Sequence, residues 1–511
     1  MKQQRLGMGM TLGMLFSVSY AQQAQSPNII LILADDMGYG DVSGLNAEGK
    51  IATPHINSLL NSGVVFTDAH SSSAISTPTR YGLMTGRYCW RTPLKNGVLW
   101  DYDAPLIEAD RLTIGKMLQQ KGYHTACIGK WHLGMDFGTT DGKEPVNKKN
   151  NSNLDFSKPI QNGPTTRGFD YFYGVDCPNF PPYCFIENDH TEGIPQQFSA
   201  WKGKYLETIN GHQLPDWKLE NVLPGIEKRA VDYIREKASA ENPYFLYFAL
   251  TSPHAPLRPS AEFQGKSGLN TYADFVVQTD AVVGSIIKAV EESGEADNTI
   301  IVFTTDNGTA PVANFKYLQD HGHYPSYIYR GMKSDLFEGG HHVPCVVSWP
   351  KRFAHKQTHE TICLTDFLAT FADLVDYELS DNEAEDSYSM MPLLTGKGKF
   401  EREAIVHHSS KGEFAIRKGN WKLLLTSFSG GWSEPKAPVK DGPMYQLYNL
   451  KDDPNETKNL FYAYPNRVND LENTLIRIIT HGRSTNGKIQ QNQTKGVWKQ
   501  LKWMKGKENT F

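Results

Sequence analysis

Two short polar pairs, Asp35-Asp36 and Asp306-Asn307, stand far apart in the chain, yet each follows a run of apolar, strand-forming residues. Three carboxylates and one amide oxygen make a hard, oxygen-only donor set, which suits Ca2+ or Mg2+ and not a soft metal. A single Asp-Asp pair reads as ordinary turn chemistry. A second strand end of the same character makes Asp35, Asp36, Asp306 and Asn307 a candidate metal site. Ser76-Thr77-Pro78-Thr79-Arg80 is the sharpest local signal. On its own it describes a helix start, with a serine cap, a proline in the first turn and an arginine one turn on.

The elements that must position these residues are legible in the apolar pattern. Residues 28–34 form a continuous apolar run, as in a parallel strand buried on both faces that delivers acids at its carboxyl end. Residues 243–250 run likewise into Ser252-Pro253-His254, and residues 299–304 into Asp306-Asn307-Gly308. Helical periodicity covers 112–120, through Ile114, Met117 and Leu118, and 272–292, through Phe275, Val276, Val282, Val283, Ile286 and Ile287. Strands alternating with helices predict an α/β fold with a mainly parallel sheet sandwiched by helices. Residues 147–216 carry no clear period and are predicted to be loop that walls a pocket. Short strand-like runs at 404–407, 413–416, 421–425 and 445–448, then a helical stretch at 466–479, predict a smaller antiparallel-sheet-plus-helix subdomain. The expected division is a signal peptide over 1–21, a catalytic α/β domain over 26–380 and a C-terminal subdomain over 381–511. The lysine-rich end of that subdomain has no evident fold.

With 511 residues and 39% hydrophobic content, the chain can bury one large core and carry a smaller appended domain. Lys2 and Arg5 precede an apolar stretch over 6–18 and the small-residue signature Ser19-Tyr20-Ala21. This predicts a signal peptide cut after Ala21, with export across the inner membrane to the periplasm. That stretch is short and broken by Gly and Ser, and no later one approaches the ~18 apolar residues of a span. No membrane span is therefore expected after signal removal. The 52 basic and 56 acidic residues give a net charge of −4, with no global attraction to nucleic acid. An anionic substrate needs a local basic pocket. Cys89, Cys127, Cys177, Cys184, Cys345 and Cys363 lack paired metal-ligand spacing, and export could allow some to oxidise. Cys177 and Cys184 are the nearest pair.

Taken together, these motifs make the chain resemble the type I, formylglycine-dependent sulfatases. The signature of that family is Cys or Ser, any residue, Pro, any residue, Arg, followed closely by Thr-Gly-Arg. Here it is Ser76, Pro78 and Arg80, then Thr85-Gly86-Arg87. The resemblance continues through Gly129-Lys130-Trp131-His132-Leu133-Gly134, Gly168-Phe169-Asp170-Tyr171-Phe172-Tyr173-Gly174, Ser252-Pro253-His254-Ala255-Pro256, and Gly331-Met332-Lys333 leading to Glu338-Gly339-Gly340. It spans residues 26–460 in family order. It implies an alkaline-phosphatase-like fold, with Ca2+ or Mg2+ held by Asp35, Asp36, Asp306, Asn307 and residue 76. It also implies sulfate bound by Arg80, Lys130, His132, His254 and Lys333, and a formylglycine matured from Ser76. In that scheme a hydroxyl of the hydrated aldehyde attacks sulfur, and His254 with Lys333 protonates the departing sugar oxygen. His132 then takes a proton from the second hydroxyl as sulfate leaves. Serine at position 76, where many members have cysteine, resembles members of anaerobic bacteria matured by a radical-based enzyme. A sulfatase-maturing enzyme is thus an implied partner.

Residues 329–340 resemble the arylsulfatase and N-acetylgalactosamine-6-sulfatase branch. They imply a 6-O-sulfated galactose or N-acetylgalactosamine of a host glycan or glycosaminoglycan as the sulfated saccharide substrate. A phosphatase or phosphotransferase of the same superfamily is one alternative, but those enzymes commonly carry Asp-His where this chain has Asp306-Asn307, and two zinc ions. A non-catalytic carbohydrate-binding protein is the other, although every motif position here holds a competent residue. His321, His323, His341 and His342 flank the Lys333 segment and are expected to be structural or solvent-facing, with His341-His342 ordering the entry to Val343-Pro344-Cys345. Asp176 and Glu187 read as solvated loop acids. Arg80 and Lys333 are expected to line a pocket and not the core, so that replacing either spares folding.

Overall fold

The computed structural model describes residues 26–507, and the expected signal peptide lies outside them. The Asn28–Ala34 run is the inner strand of a ten-stranded sheet. From edge to edge the strands are Lys356–Thr358, Val64–Phe66, Cys345–Ser348, Thr299–Thr305, Asn28–Ala34, Tyr244–Ala249, His124–Lys130, Tyr171–Val175, Ile186–Glu187 and His190–Thr191. The five from Thr299–Thr305 to Tyr171–Val175 are parallel. Cys345–Ser348 runs antiparallel to both of its neighbours. Leu33 stands opposite both Thr304 and Ala249, and Ala249 opposite Gly129, so the carboxyl ends of four strands finish level. In open α/β sheets that edge is the ligand-binding one.

Both faces of the inner strand are buried, which is why its apolar run is continuous rather than alternating. Ile29, Leu31 and Leu33 pack with Leu83 and Met84 of the Ser76–Thr85 helix, Met117 and Leu118 of Ile114–Gln120, and Phe367 and Phe371 of Asp366–Leu374. Ile30, Ile32 and Ala34 pack on the other side with Ile226 and Ile234 of Val222–Lys237 and with Val276, Val283 and Ile286 of Thr271–Glu292. Each of these Ile, Leu, Val, Met and Phe side chains contributes roughly 1.5–3 kcal/mol by leaving water.

Two of the five parallel strands escaped the sequence reading. His124–Lys130 has the sequence HTACIGK, too mixed to read as a strand, and is held by its neighbours on both sides. Its Gly129 has φ +113°, and a Cβ there would sit 1.8 Å from the Ala249 carbonyl oxygen, so glycine is required just before Lys130. Tyr171–Val175 lies inside the region predicted as loop. Phe172 joins one core layer while Tyr171 and Tyr173 pack against the other. This is an alternation of only five residues, hidden among Asn, Pro and Gly.

The four short C-terminal runs form an antiparallel sheet of Ile405–His408, Phe414–Lys418, Trp421–Leu424 and Gln446–Asn449. The Pro465–Thr480 helix buries Leu471, Leu475 and Ile479 in one cluster with Ile416, Leu423 and Leu447. Part of the lysine-rich end also folds: the turn Lys499–Met504 tucks Leu501 and Met504 into the same cluster. All six cysteines are buried thiols, so Cys177 and Cys184 are not bridged.

A buried ion pair joins the short turn Cys89–Arg91 to this C-terminal part. Asp386 accepts from Arg91 Nε and Nη2, both at 2.7 Å, and from the N–H groups of Tyr88 (2.9 Å) and Ser484 (3.0 Å). Neither charged side chain is exposed. Burial pushes the Asp386 carboxyl upward, but Arg91 and these donors outweigh it and hold the group below its ordinary 3.8. A depressed acid contributes stability that is present above its unfolded value and is lost as pH falls through the folded one. Asp386→Ala is therefore expected to lower the unfolding free energy by about 3–5 kcal/mol at neutral pH. The gap from wild type should narrow below pH 3.8, as urea denaturation across pH would show.

Candidate active site

Asp35 and Asp36 leave the end of Asn28–Ala34, Lys130 ends His124–Lys130, and Asp306-Asn307 follow Thr299–Thr305. The level carboxyl ends bring all of them to one place. The Asp306 N–H donates to Ala34 O (3.1 Å), and the Asp36 N–H donates to Asp306 Oδ1 (3.2 Å), which stitches the two acidic turns together. Asp36 takes φ +65°, a conformation in which a short polar side chain is tolerated.

Ser76 opens the Ser76–Thr85 helix, and Arg80 lies one turn later on the same face. The Ser76 hydroxyl contacts Asp35 Oδ1 at 3.3 Å, makes a short hydrogen bond to Asp306 Oδ2, and accepts from Lys130 Nζ at 3.4 Å. The charges then fall into pairs. Lys130 Nζ meets Asp35 Oδ2 at 2.8 Å, Lys333 Nζ meets Asp36 Oδ1 at 2.7 Å, and Arg80 Nη2 meets Asp306 Oδ2 at 3.0 Å. All six residues are buried. Burial works against the Arg80 and Lys333 cations, yet the facing carboxylates hold both above their usual range. Asp35 is likewise opposed by burial, and Lys130, His254 and Arg80 hold its carboxyl well below the usual range.

The two histidines have defined tautomers. His132 Nε2 lies 2.9 Å from Leu99 O, so it must carry the hydrogen, and Nδ1 is left as a buried lone pair with no partner. Burial, with Lys130 and Arg80 nearby, pushes the imidazole well below its ordinary value, so it is neutral. His254 Nδ1 faces the Ala255 carbonyl, and its Nε2 looks towards Asp36 Oδ2 at 3.7 Å.

The donor set fits a hard divalent cation. Asn307 Nδ2 donates to Asp36 Oδ1 (2.7 Å), and Asn307 Oδ1 is left buried and unpartnered. Asp35, Asp36 and His254 also bring donor atoms within 4.8 Å of one another. An orphaned amide oxygen beside carboxylates is an oxygen-rich set of the kind Ca2+ and Mg2+ take.

Asp35, Asp36, Ser76, Arg80, Lys130, His132, His254, Asp306, Asn307 and Lys333 are thus gathered into one site, and the flanking histidines are not in it. His323 is buried on Asp41 (2.8 Å), and His321 stacks on Tyr317. His341 and His342 join a buried network around Glu338, whose carboxylate meets His342 Nδ1 (3.0 Å) and Lys422 Nζ (2.8 Å). Lys422 also reaches Glu456 (2.8 Å), so this network ties the segment after Lys333 to the C-terminal sheet.

Sequence reasoning missed two supporting acids. Asp41 accepts from Gly38 N–H (2.8 Å), Tyr272 OH (2.5 Å) and Thr309 Oγ1 (2.9 Å), and so braces the turn after Asp36. Asp176, read as a solvated loop acid, is buried and accepts from the His132 N–H at 3.1 Å. Burial pushes its carboxyl up to about 7. The signal available was the position of Asp176 two residues after the Gly168–Gly174 motif. Glu187, by contrast, is a half-exposed partner of Arg229.

The sulfatase family profile matches residues 27–377. An N-acetylgalactosamine-6-O-sulfatase of Bacteroides thetaiotaomicron is 32% identical over 90% of this chain and 94% of its own length. Arylsulfatase A of Bos taurus is 31% identical over 86% and 84%. A solved Bacteroides thetaiotaomicron structure, described with the metabolism of multiple glycosaminoglycans, superposes with TM-score 0.76 at 31% identity, over 89% of this chain and 99% of that one. A crystal structure of Ps i-CgsB in complex with k-i-k-neocarrahexaose superposes with TM-score 0.67 at 25% identity, over 92% and 96%.

Arg80 departs from the expectation that it lines a pocket. It has no exposed surface and is bound to two buried carboxylates, Asp306 and, at 3.4 Å, Asp35. Arg80→Met leaves those charges short of a partner and is expected to lower the unfolding free energy by about 3–5 kcal/mol, measured by chemical denaturation in the presence of EDTA.

Proposed function

Since the chain belongs to the sulfatase family and is a carbohydrate sulfatase, we propose that its catalytic centre is the Ser76 site and its substrate a 6-O-sulfated galactose or N-acetylgalactosamine of a glycan. The observation that carries the assignment of the centre is the pairing of Asp35, Asp36 and Asp306 with Lys130, Lys333 and Arg80 around the Ser76 hydroxyl. The 6-O position is supported by the relative named N-acetylgalactosamine-6-O-sulfatase, and action on an oligosaccharide by the neocarrahexaose complex.

Ca2+, with Mg2+ as the second candidate, would be held by Asp35, Asp36, Asp306, the Asn307 amide oxygen and residue 76, and would supply positive charge where sulfuryl oxygens gather negative charge. Formylglycine made from Ser76 supplies a hydrated aldehyde, which is a better nucleophile than a serine hydroxyl and leaves no stable sulfate ester behind. The remaining work falls to residues of the chain. Three cations neutralise three carboxylates in the structure, so a dication at the carboxylates would leave Arg80, Lys130 and Lys333 together in excess by two charges, and the site would become a receptor for an anion. Lys333 Nζ and, when protonated, His254 Nε2 are the donors placed to protonate the departing sugar oxygen. His132 is oriented from both sides: Leu99 O fixes the proton on Nε2, and Asp176 holds the backbone. Its bare Nδ1 is the base that accepts a proton as sulfate is released.

The same reading assigns residues 26–380 to the catalytic domain and residues from 381 onward to the C-terminal subdomain. It places the protein in the periplasm after signal removal and makes an anaerobic sulfatase-maturing enzyme its partner. Among the described residues no helix is long and apolar enough to cross a membrane.

Co-expression with such a maturing enzyme is expected to remove two hydrogens from residue 76, seen by peptide mass, and to give Ca2+-dependent sulfate release from the 6-O-sulfated sugars. An aldehyde without release from those sugars discards the 6-O assignment. An unmodified Ser76 with zinc-dependent phosphate ester cleavage overturns the reading. Metal binding has its own test in the unmodified protein: Ca2+ at a hundred times its Kd is expected to stabilise the fold by about 2.7 kcal/mol. Asp306→Ala should abolish that increment.

A further inference from the structure

A groove of about 770 Å3 lies beside the catalytic centre, between the loop at 96–100, the turn at 410–413, residues 436–438 and the terminal turn Lys499–Met504. Both banks are joined to the site. On one, Trp100 follows Leu99, whose carbonyl accepts from His132 and whose N–H donates to Thr77 Oγ1 at 3.2 Å. On the other, Ser410 donates its N–H to the carbonyl of Ser334, the neighbour of Lys333, at 3.1 Å, and the two hydroxyls share a short hydrogen bond. The Gly97 N–H donates to Ser410 O at 2.8 Å and ties the banks together.

The lining is strongly biased in charge. Lys411, Lys436, Lys499 and Lys502 face the groove, and Glu413 is the one carboxylate among the lining residues. Lys436 also lies 3.6 Å from the exposed Glu434. The chain as a whole carries −4, so this concentration of lysines runs against its overall balance. Like charges gathered along a concave wall focus a field that draws anions. At the site end of the groove Trp100 is 58% exposed, and its ring is stacked on Phe180 with centroids 5.7 Å apart. The backing ring fixes the indole, leaving a flat apolar face in water beside a row of cations.

We propose that this groove is a subsite for the neighbouring anionic sugars of a sulfated polysaccharide, with Trp100 stacking on a sugar face and the lysines meeting sulfate or carboxylate groups. The proposal rests on the sulfatase reading of the Ser76 centre for the identity of its ligand. It makes the protein an enzyme that grips several units of a chain while one ester lies in the catalytic site.

The test compares the matured Ca2+-loaded enzyme with a Lys411→Glu/Lys499→Glu/Lys502→Glu variant and with Trp100→Ala, using 6-O-sulfated N-acetylgalactosamine and a chondroitin 6-sulfate hexasaccharide. In the triple variant the ratio of kcat/KM for hexasaccharide over monosaccharide is expected to fall roughly tenfold, equivalent to about 1.4 kcal/mol. The loss should appear in KM and flatten its dependence on salt. Trp100→Ala should lower the same ratio. The monosaccharide rate reports folding, so a variant that fails to fold is recognised. Calorimetry with the unmodified Ser76 protein and the hexasaccharide gives a readout free of turnover, in which the triple variant binds roughly tenfold more weakly. If matured wild type releases no sulfate from either substrate, the 6-O assignment of the proposed function fails, and calorimetry still decides the groove. Equal hexasaccharide affinity in wild type and triple variant overturns the proposal.

Discussion

Three buried carboxylates opposed by three buried cations form the constraint around which this protein is arranged. Asp35, Asp36 and Asp306 cannot be gathered in a dry place without compensation, since an unpaired buried charge costs several kcal/mol. Lys130, Lys333 and Arg80 supply it one for one. The same pairing makes the centre responsive. A hard dication among the carboxylates would offset two of their three charges and leave the cations in excess by two, so that an anion would become the group the site lacks. In the proposed reading, metal and anionic substrate would be linked through one charge balance.

Holding that balance requires positions fixed to fractions of an ångström, which is the work of the parallel sheet. The level strand ends place the acidic turns and Lys130 side by side, and Gly129 and Gly308 permit backbone contacts that any Cβ would block. Gly308 would carry its Cβ 1.9 Å from Gly339 O, so the Glu338-Gly339-Gly340 motif serves packing against the Asn307 turn. Glu338 itself belongs to the network with His342 and Lys422 that joins the Lys333 segment to the C-terminal sheet. The C-terminal sheet thus supports the site without entering it.

Outside the centre, the same C-terminal sheet region contributes walls. The turn at 410–413 and the helical turn Lys499–Met504 face the loop that carries Trp100. In the proposed reading the chemistry sits at the strand ends and the start of the Ser76–Thr85 helix, while the proposed surface for a longer substrate is assembled from the loop at 96–100 and short, late segments of the chain. Loops of that kind can vary without disturbing the charge pairs beneath them.

Much of this was written in the chain itself. The inner strand, Asp35-Asp36 at its end, the second acidic end at Asp306-Asn307 and the Ser76-to-Arg80 helix start are local patterns, and local patterns are set by strand and helix periodicity. The short C-terminal strands were also legible, to within a residue or two, because each alternates or is bounded by turn residues. The tertiary structure alone decided what depends on neighbours. His124–Lys130 is a strand because flanking strands supply its hydrogen bonds, and Tyr171–Val175 because it pairs with it. Arg80 is a buried ion-pair partner and Asp176 a buried brace for His132, since burial is a property of what packs around a residue and not of its type. The groove of lysines joins positions 411, 436, 499 and 502, whose separation along the chain hides a common wall. Periodicity is carried by adjacent residues and survives in one dimension; burial and charge pairing are made by distant ones and exist only once the chain has folded.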